Sequence, residues 1–175
     1  MKKMLLLAGL AGMVAANAEA VDMTPYVGMD AGYSMVDYND YYYLSSRNLS
    51  LSAVLGARTD HFGVEAFYMN SLRQHKADAA TRISGYGVDL LGFQQLGCSG
   101  RWELVGSAGL AQYKIKANYP EGGTSDTGYG YRLGGGLQYA LTENLSARVM
   151  YHHTWMNKST IDSMDEFTVG IRYAF

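Results

Sequence analysis

The sequence contains little of what usually stabilises a small protein or holds a helix in a membrane. Cys98 is the only cysteine among the 175 residues, which excludes an intramolecular disulfide. Proline occurs only twice, and no run of about 18 apolar residues follows residue 20, which excludes a transmembrane helix in that part of the chain. Glycine and tyrosine are abundant instead, with 21 and 15 copies, a composition that suits many closely packed strands.

The first 20 residues have the pattern of a secretory signal peptide. Lys2 and Lys3 form a basic start, residues 4–16 form an apolar run that is too short to span a membrane, and Ala18-Glu19-Ala20 is an A-x-A cleavage site. An uncleaved amphipathic anchor is the alternative, but the cleavage pattern favours a signal. We therefore expect a cleaved signal peptide over residues 1–20 and a mature domain over residues 21–175.

The charge of the mature domain excludes some partners. Removing Lys2, Lys3 and Glu19 leaves 12 basic and 15 acidic residues, a net charge of −3. This balance is not that of a nucleic-acid-binding protein or of an acidic tail. An exported domain of this size without disulfides needs another source of stability, and a closed ladder of strands in a bilayer supplies one.

The end of the chain alternates between an apolar and a polar face, which is the mark of a two-faced strand. Its apolar parity carries Phe167, Val169, Ile171, Tyr173 and Phe175, and its other parity carries Glu166, Thr168, Gly170, Arg172 and Ala174. Seven further segments show the same period of two, each near the length that a tilted strand needs to cross a bilayer. Their approximate ranges are 25–35, 48–58, 62–71, 82–93, 102–115, 128–140 and 145–154.

The connectors between these segments alternate in predicted length. Those after the second, fourth and sixth segments are shorter, at 59–61, 94–101 and 141–144, and the others run 10 to 13 residues. Short periplasmic turns and longer outer loops are typical of a membrane barrel with both termini inside. The sequence therefore predicts an all-β fold, an eight-stranded antiparallel up-and-down transmembrane barrel.

Aromatic residues of the apolar parity gather near both ends of the predicted strands, as the interfacial girdles of a membrane barrel do. The outer set is Tyr33, Tyr68, Tyr129, Tyr131 and Tyr151, and the inner set is Phe62, Trp102, Tyr139, Tyr173 and Phe175. A strand-rich soluble protein with surface tyrosines is the alternative that these positions disfavour.

Four stretches carry a resemblance to a known family: residues 25–33 (PYVGMDAGY), 85–92 (GYGVDLLG), 128–136 (GYGYRLGGG) and 171–175 (IRYAF). With them the chain resembles the small eight-stranded outer-membrane proteins, namely the OmpA transmembrane domain, OmpX, the Ail-type barrels and the broad porin family of outer-membrane barrels. The resemblance implies the outer membrane of a Gram-negative bacterium, no cofactor, and partners among outer-membrane lipids and lipopolysaccharide. It also implies that the assembly machinery recognises the terminal aromatics, Tyr173 and Phe175.

The inward parity predicts a charged interior. It collects five acids and four arginines, namely Asp30, Glu65, Asp89, Glu103, Glu166, Arg58, Arg132, Arg148 and Arg172. Because an eight-stranded barrel is just wide enough for its own side chains, we expect these charges to pair and to plug the lumen. Glu65 is expected to pair with Arg132 or Arg148. A narrow conduit for ions or small solutes is the alternative.

The outer connectors contain the candidate recognition residues. The first connector, called loop one below, brings Tyr38, Tyr41, Tyr42 and Tyr43 together, and tyrosine clusters on loops make good recognition surfaces for a host or surface ligand. Alternatively, these rings extend the outer girdle. Residues 116–127 are expected to form a second, flexible loop. Arg82 either contacts lipopolysaccharide phosphates or is an ordinary interfacial cation.

One set of residues in the sequence partly resembles an enzyme's active site. Lipid A deacylases are outer-membrane barrels that carry a His-x-Ser pair on the seventh strand and a later Glu, and His152, Thr154 and Glu166 resemble that set. Their parity places them inside the barrel, where an acyl chain cannot reach them, and we expect His152 to be a hydrogen-bonded lumen residue. Adjacent His152 and His153 point to opposite faces, which disfavours a metal site. We therefore expect no enzyme and no metal, but a structural or adhesion-like protein, with lipid A acyl hydrolysis as a second alternative.

Overall fold

The computed structural model describes residues 23–38, 47–72, 74–76, 79–98, 100–119, 122–157 and 161–175. The strands are β1 (Thr24–Tyr38), β2 (Arg47–Arg58), β3 (Phe62–Ser71), β4 (Gln74–Lys76), β5 (Ala79–Leu96), β6 (Trp102–Tyr119), β7 (Gly122–Ala140), β8 (Leu145–Asn157) and β9 (Ile161–Ala174). Within these ranges no helix is long and apolar enough to cross a bilayer.

The strands form one closed antiparallel sheet. Apart from β3 and β4, consecutive strands pair with each other, and β1 pairs with β9 from Tyr26 opposite Ala174 to Tyr38 opposite Ile161. β3 and the three-residue β4 both pair with β5, so together they make one interrupted strand of an eight-stranded barrel. The predicted eight-stranded up-and-down barrel is confirmed. Closure leaves no open sheet edge, whose unpaired backbone groups would be costly in hydrocarbon.

The outer ends of the strands differ from the prediction. β6 and β7 run to Tyr119 and from Gly122, with Lys116 paired opposite Ser125, so the flexible loop expected over residues 116–127 is wrong. The connectors after β4 and β8 are also only two and three residues long. Of the long outer connectors that the sequence predicted, only the first therefore remains long, at residues 39–46. Above the bilayer the outward face meets water and carries polar side chains such as Lys116, which removes the apolar alternation while backbone pairing continues.

Alternation sorts the side chains as the sequence predicts. The apolar parity is exposed on the outer surface, where its most exposed aromatics include Phe62, Tyr129, Tyr131 and Phe175. At the end that carries Thr24 and Phe175, called the inner end below, the rings of Trp102 and Tyr139 lie 4.7 Å apart. Side chains of the other parity fill the interior, where Tyr26, Ile83 and Tyr113 are almost completely buried.

Glycines on the inward face make room for the charged side chains. A Cβ on Gly170 would overlap the Asp30 carboxylate and the Met29 carbonyl oxygen, and one on Gly109 would overlap Asp89 and the Val88 carbonyl oxygen. Each of these glycines lies directly opposite the acid that it accommodates on the neighbouring strand: Gly170 opposite Asp30, and Gly109 opposite Asp89. Close packing across neighbouring strands, rather than backbone flexibility, explains these two positions.

Candidate functional site

The predicted lumen residues all lie on the inward face of the barrel. Arg58 is half-buried near the inner end, and the other eight are buried: Asp30, Glu65, Asp89, Glu103, Arg132, Arg148, Glu166 and Arg172. Eight of the nine strands contribute at least one of them, and only β4 contributes none. The barrel therefore brings together residues that lie far apart in the chain.

Glu65 is the centre of an ionic network. Its Oε2 accepts from Arg148 Nη1 at 2.8 Å, from Arg172 Nε at 3.2 Å and from the Tyr26 hydroxyl at 2.9 Å. Of the two partners predicted for Glu65, Arg148 therefore forms the pair. Arg132 instead lies beside Asp89, with 3.4 Å between Nε and Oδ1. One carboxylate on β3 thus holds two arginines and a phenol from three other strands.

Two further pairs extend the network toward the inner end. Arg172 also donates to both oxygens of Asp30, at 2.6 Å and 3.1 Å. Arg58 forms a two-pronged pair with Glu103, at 2.6 Å and 2.9 Å. Such fork-to-fork arginine–carboxylate pairs combine charge with a fixed geometry. The Asp30–Arg172 pair therefore links the neighbouring strands β1 and β9, whereas the Arg58–Glu103 pair links β2 and β6 across the lumen.

Gln138 joins the two parts of the network. Its Nε2 donates to Glu103 at 2.9 Å, and its Oε1 accepts from Arg148 Nε at 2.8 Å. Gln138 and Tyr26 were not singled out from the sequence, although both share the inward parity of their strands. A search for every polar group of that parity, rather than for charged groups alone, would have found them.

Glu166 differs from the other four acids. No cation lies within 4.0 Å of it among the described residues, and its Oε1 accepts a hydrogen bond from the Ser50 hydroxyl at 3.3 Å. Directly opposite it, His152 is buried, and its Nδ1 has no hydrogen-bond partner within the described part of the chain. The expectation that His152 is hydrogen-bonded is therefore wrong for that nitrogen.

Aromatic rings support two of the arginines. The Arg132 guanidinium lies 4.2 Å from the centroid of the Phe67 ring, and that of Arg58 lies 3.9 Å from Phe93. A cation over an aromatic face gains attraction that grows when both groups are shielded from water. The rings therefore help to hold these cations at fixed places in the lumen.

An apolar layer closes the lumen toward the outer end. We call it the outer apolar plug, and it comprises Val36, Val54, Phe67, Met69, Ile83, Ala111, Tyr113, Ile115 and Met164. Every member is at most 6% exposed. The sequence interpretation did not predict this layer, because it considered only the charged residues of the inward parity. A smaller apolar cluster of Leu91, Phe93, Val105 and Met150 lies nearer the inner end.

Little free space remains between these layers. The void amid Glu65, Asp89, Arg132 and Glu166 has room for about one or two water molecules. The outer apolar plug, which shares Val54 and Phe67 with the lining of this void, is built from apolar side chains and the Tyr113 ring. Hydrophobic constrictions of this kind stop ions by excluding water.

The residues that resemble the active site of a lipid A deacylase do not form a reactive site on the lipid face. His152, Thr154 and Glu166 are buried inside, as their parity predicts. The outward face holds a different pair, in which His153 Nδ1 and the hydroxyl of Tyr151 both lie 2.6 Å from the Asp165 carboxylate. Two residues after His153, however, stands Trp155, which has no nucleophilic hydroxyl and packs against the histidine ring at 4.3 Å.

The recognition candidates of loop one cannot be placed. Tyr41, Tyr42 and Tyr43 lie outside the described residues, and Tyr38 is the last residue of β1. The assembly candidates lie at the inner end, where Tyr173 is exposed and Phe175 is 70% exposed. Arg82 is exposed on the outward face of β5, and its Nε donates to Asn70 Oδ1 at 2.9 Å.

Solved structures with this fold are outer-membrane barrels. Neisserial surface protein A matches with a TM-score of 0.73 and 17% identity, over 86% of this chain and 97% of that one. Ail, the attachment invasion locus protein of Yersinia pestis, matches with a TM-score of 0.61 and 15% identity, over 87% and 97%. The N-terminal barrel domain of Pseudomonas aeruginosa OprF matches with a TM-score of 0.56 and 19% identity, over 85% and 97%.

At these identities the structures establish the fold alone. No curated protein matches the sequence. The family model of the outer membrane protein beta-barrel domain matches residues 4–175, nearly the whole chain. The chain therefore belongs to the outer membrane protein beta-barrel family, and it is a protein of the bacterial outer membrane.

Proposed function

We propose that this protein is a non-conducting outer-membrane barrel that acts at the cell surface, with loop one as its recognition segment and its closed interior as the scaffold. The observation that carries the proposal is the two-layer filling of the lumen. The Glu65 network occupies the middle, and the outer apolar plug closes the route to the outside. A narrow ion conduit is the competing proposal, and catalysis is not part of ours because Trp155 stands two residues after His153, where the lipid A deacylases carry their serine.

The conductance of the purified barrel tests the closed interior. Reconstituted into planar bilayers, the native protein should show no steady single-channel current. A variant with Ile83→Ser and Ile115→Ser, which places two hydroxyls in the outer apolar plug, should conduct more than the native barrel because water can enter that layer. Steady native currents that change on Glu65→Ala would overturn the closed interior and support the conduit.

Loop-dependent binding tests the surface role. Cells that display the native barrel should adhere to host-cell monolayers or to matrix-coated surfaces, and replacing Tyr41, Tyr42 and Tyr43 with serine should reduce that adhesion. Ser45→Ala with Ser46→Ala is the matched control in the same loop, and it should leave adhesion intact. Equal adhesion by all three forms, at equal surface levels, would remove loop one from the proposal.

Assembly of the barrel through its terminal aromatic is a separate part of the proposal. Phe175 is exposed, packs its ring 5.5 Å from Tyr173, and donates its backbone N–H to the Pro25 carbonyl at 3.1 Å. Deleting Phe175 should lower the yield of heat-modifiable barrel in the membrane fraction. Phe62→Ala is the control, because Phe62 is another exposed aromatic near the inner end of a strand but is not terminal. Normal assembly of the deletion variant would count against the role of Phe175.

A further inference from the structure

We infer that the middle of the lumen contains a proton-binding site, which is formed by Glu166 and His152 and is called the proton site below. Glu166 carries the proton, and a water molecule in the void that both residues line connects it to His152. The ligand is therefore a single proton, together with the water that positions it. This site goes beyond the proposed surface role and does not depend on loop one.

The charges around the void do not balance. Four acids line it against three arginines, namely Asp30, Glu65, Asp89 and Glu166 against Arg132, Arg148 and Arg172. The first three acids each pair with an arginine, whereas Glu166 has no cation within 4.0 Å among the described residues. One buried negative charge is therefore in surplus. Because an unpaired buried carboxylate is very costly, such a group takes up a proton instead of staying charged.

The hydrogen bond of Glu166 suits a neutral carboxyl group. Its Oε1 accepts from the Ser50 hydroxyl at 3.3 Å, which is long for a bond between a hydroxyl and a carboxylate. Ser34 lies directly opposite Glu166 on β1, but its hydroxyl donates to the Asn48 carbonyl oxygen at 3.4 Å. Glu65, by contrast, accepts from two arginines and a phenol. These contacts leave Oε2 of Glu166 to carry the proton.

His152 needs a hydrogen-bond donor at the same place. It lies directly opposite Glu166 on β8, is only 6% exposed, and its Nδ1 has no partner within the described part of the chain. A protonated ring would be a fourth cation beside the three arginines of the void, so the neutral ring is favoured. A neutral ring can accept a hydrogen bond at Nδ1. Water that accepts from protonated Glu166 and donates to this nitrogen satisfies both groups.

The void has the size and the walls of a water site. It has room for about one or two water molecules. Arg132 Nε and Asp89 Oδ1 also line it, and neither atom makes a hydrogen bond within the described residues, although they lie 3.4 Å apart. Buried water typically bonds to such polar groups. A metal cation with its shell of oxygen ligands needs more room, so the volume favours a proton as the balancing cation.

Other ionisable groups face the proton site from all around the barrel. Among the described residues they come from seven strands: Tyr26 and Asp30 (β1), Glu65 (β3), Asp89 (β5), Tyr113 (β6), Arg132 (β7), Arg148 (β8) and Arg172 (β9). The arginines keep their charge throughout the pH range of a folded protein. Since each of the other acids has an arginine beside it, Glu166 is the acid that gains most from a proton.

The proton site should make the barrel sensitive to alkaline conditions. A glutamate in the unfolded chain ionises above about pH 4.3, whereas Glu166 keeps its proton in the folded barrel. The unfolded state therefore binds fewer protons near neutral pH, and the stability of the barrel falls as the pH rises. A difference of one proton changes the unfolding constant by up to about tenfold per pH unit.

Infrared spectroscopy of the folded barrel tests the proton site directly. In lipid vesicles near neutral pH, the native protein should show the C=O stretching band of a protonated carboxyl group, and isotope-labelled glutamate should shift that band. Glu166→Gln should lose the band, whereas Glu143→Gln, which replaces an exposed glutamate at the inner end, should retain it. His152→Leu should retain the band at a shifted frequency, because the hydrogen bond through water to the ring is lost.

Unfolding as a function of pH measures the consequence. The ratio of the unfolding constants of the native protein and Glu166→Gln should rise by up to about tenfold per pH unit above about pH 5. The same ratio for the native protein and Glu143→Gln should stay constant. Replacing sodium with a bulky organic cation, at constant pH and ionic strength, should leave the native unfolding constant unchanged.

Several outcomes would overturn the inference. They are a native barrel without the band, a band that labelled glutamate does not shift, a band that persists in Glu166→Gln, and equal pH dependence of the native protein and Glu166→Gln. Dependence on sodium would replace the proton by a metal cation, and an unshifted band in His152→Leu would remove His152 from the site. Heat-modifiable migration checks that each variant is folded. If Glu166→Gln does not fold, the labelling of the native protein decides the question.

Discussion

The middle and the outer part of the lumen are filled by opposite chemistries. In the middle, Glu65 holds Arg148 and Arg172 through contacts of 2.8 Å and 3.2 Å, and each partner left alone would be a buried charge. Toward the outside, apolar residues such as Ile83, Ile115 and Met164 pack with almost no exposure. The ionic layer depends on matched partners, whereas the apolar layer depends on volume, so the two layers should respond differently to substitution.

The largest effect is expected where a network partner is removed. Glu65→Gln leaves Arg148 and Arg172 without their shared carboxylate and should destabilise the barrel by about 3–5 kcal/mol. The free energy is obtained from urea unfolding in lipid vesicles, followed by tryptophan fluorescence.

Glu166→Gln is the matched control for that substitution. Glu166 is equally buried but has no ion pair among the described residues, and glutamine can still accept the Ser50 hydrogen bond. We expect a change of at most about 1 kcal/mol. Equal losses for the two variants would show that burial of a carboxyl group, rather than the ionic network, dominates the middle layer.

A somewhat smaller effect is expected in the outer apolar plug. Ile115→Ala removes buried carbons and leaves a cavity, which should cost about 2–4 kcal/mol in the same unfolding measurement. Leu110→Ala is the control on the lipid face of the same strand, where Leu110 is 67% exposed and lipid can fill the space. A loss at Leu110 as large as that at Ile115 would contradict tight packing of the plug.

The smallest effect is expected from crowding one ion pair. In Gly170→Ala the new methyl group overlaps Asp30 and the Met29 carbonyl oxygen, so Asp30 must move relative to Arg172. We expect a loss of about 1–3 kcal/mol, typical of overpacking. Gly106→Ala is the control, since a Cβ there meets nothing within 4 Å. Its stability should be close to native, and similar losses in both variants would point to a general effect of replacing glycine in strands.

Alternation along the chain was sufficient to predict which residues face inward. Asp30, Asp89 and Arg172 could be assigned to the lumen because the period of two repeats across every strand. The partners could not be assigned, because pairing depends on the shear of the closed sheet and on side-chain reach across the lumen. Arg132 was therefore an open alternative for Glu65, and only the folded barrel places it beside Asp89 instead.

The outer third of the barrel was the least predictable part. Lys116 and Ser125 have no apolar alternation around them, so the sequence suggested a loop where the strands continue to pair. Val36, Ile115 and Met164 lie in the same region, and their convergence from three strands onto one layer leaves no local pattern. Alternation reports the environment of a strand only while its two faces differ.

The sequence by itself determined the architecture and the inward charges of this protein, because these depend on local periodicity. The tertiary structure alone decided the ion-pair partners, the outer apolar plug and the position of Arg82 opposite Lys116. These depend on strand register and closure, which bring residues together across distances that no local pattern encodes.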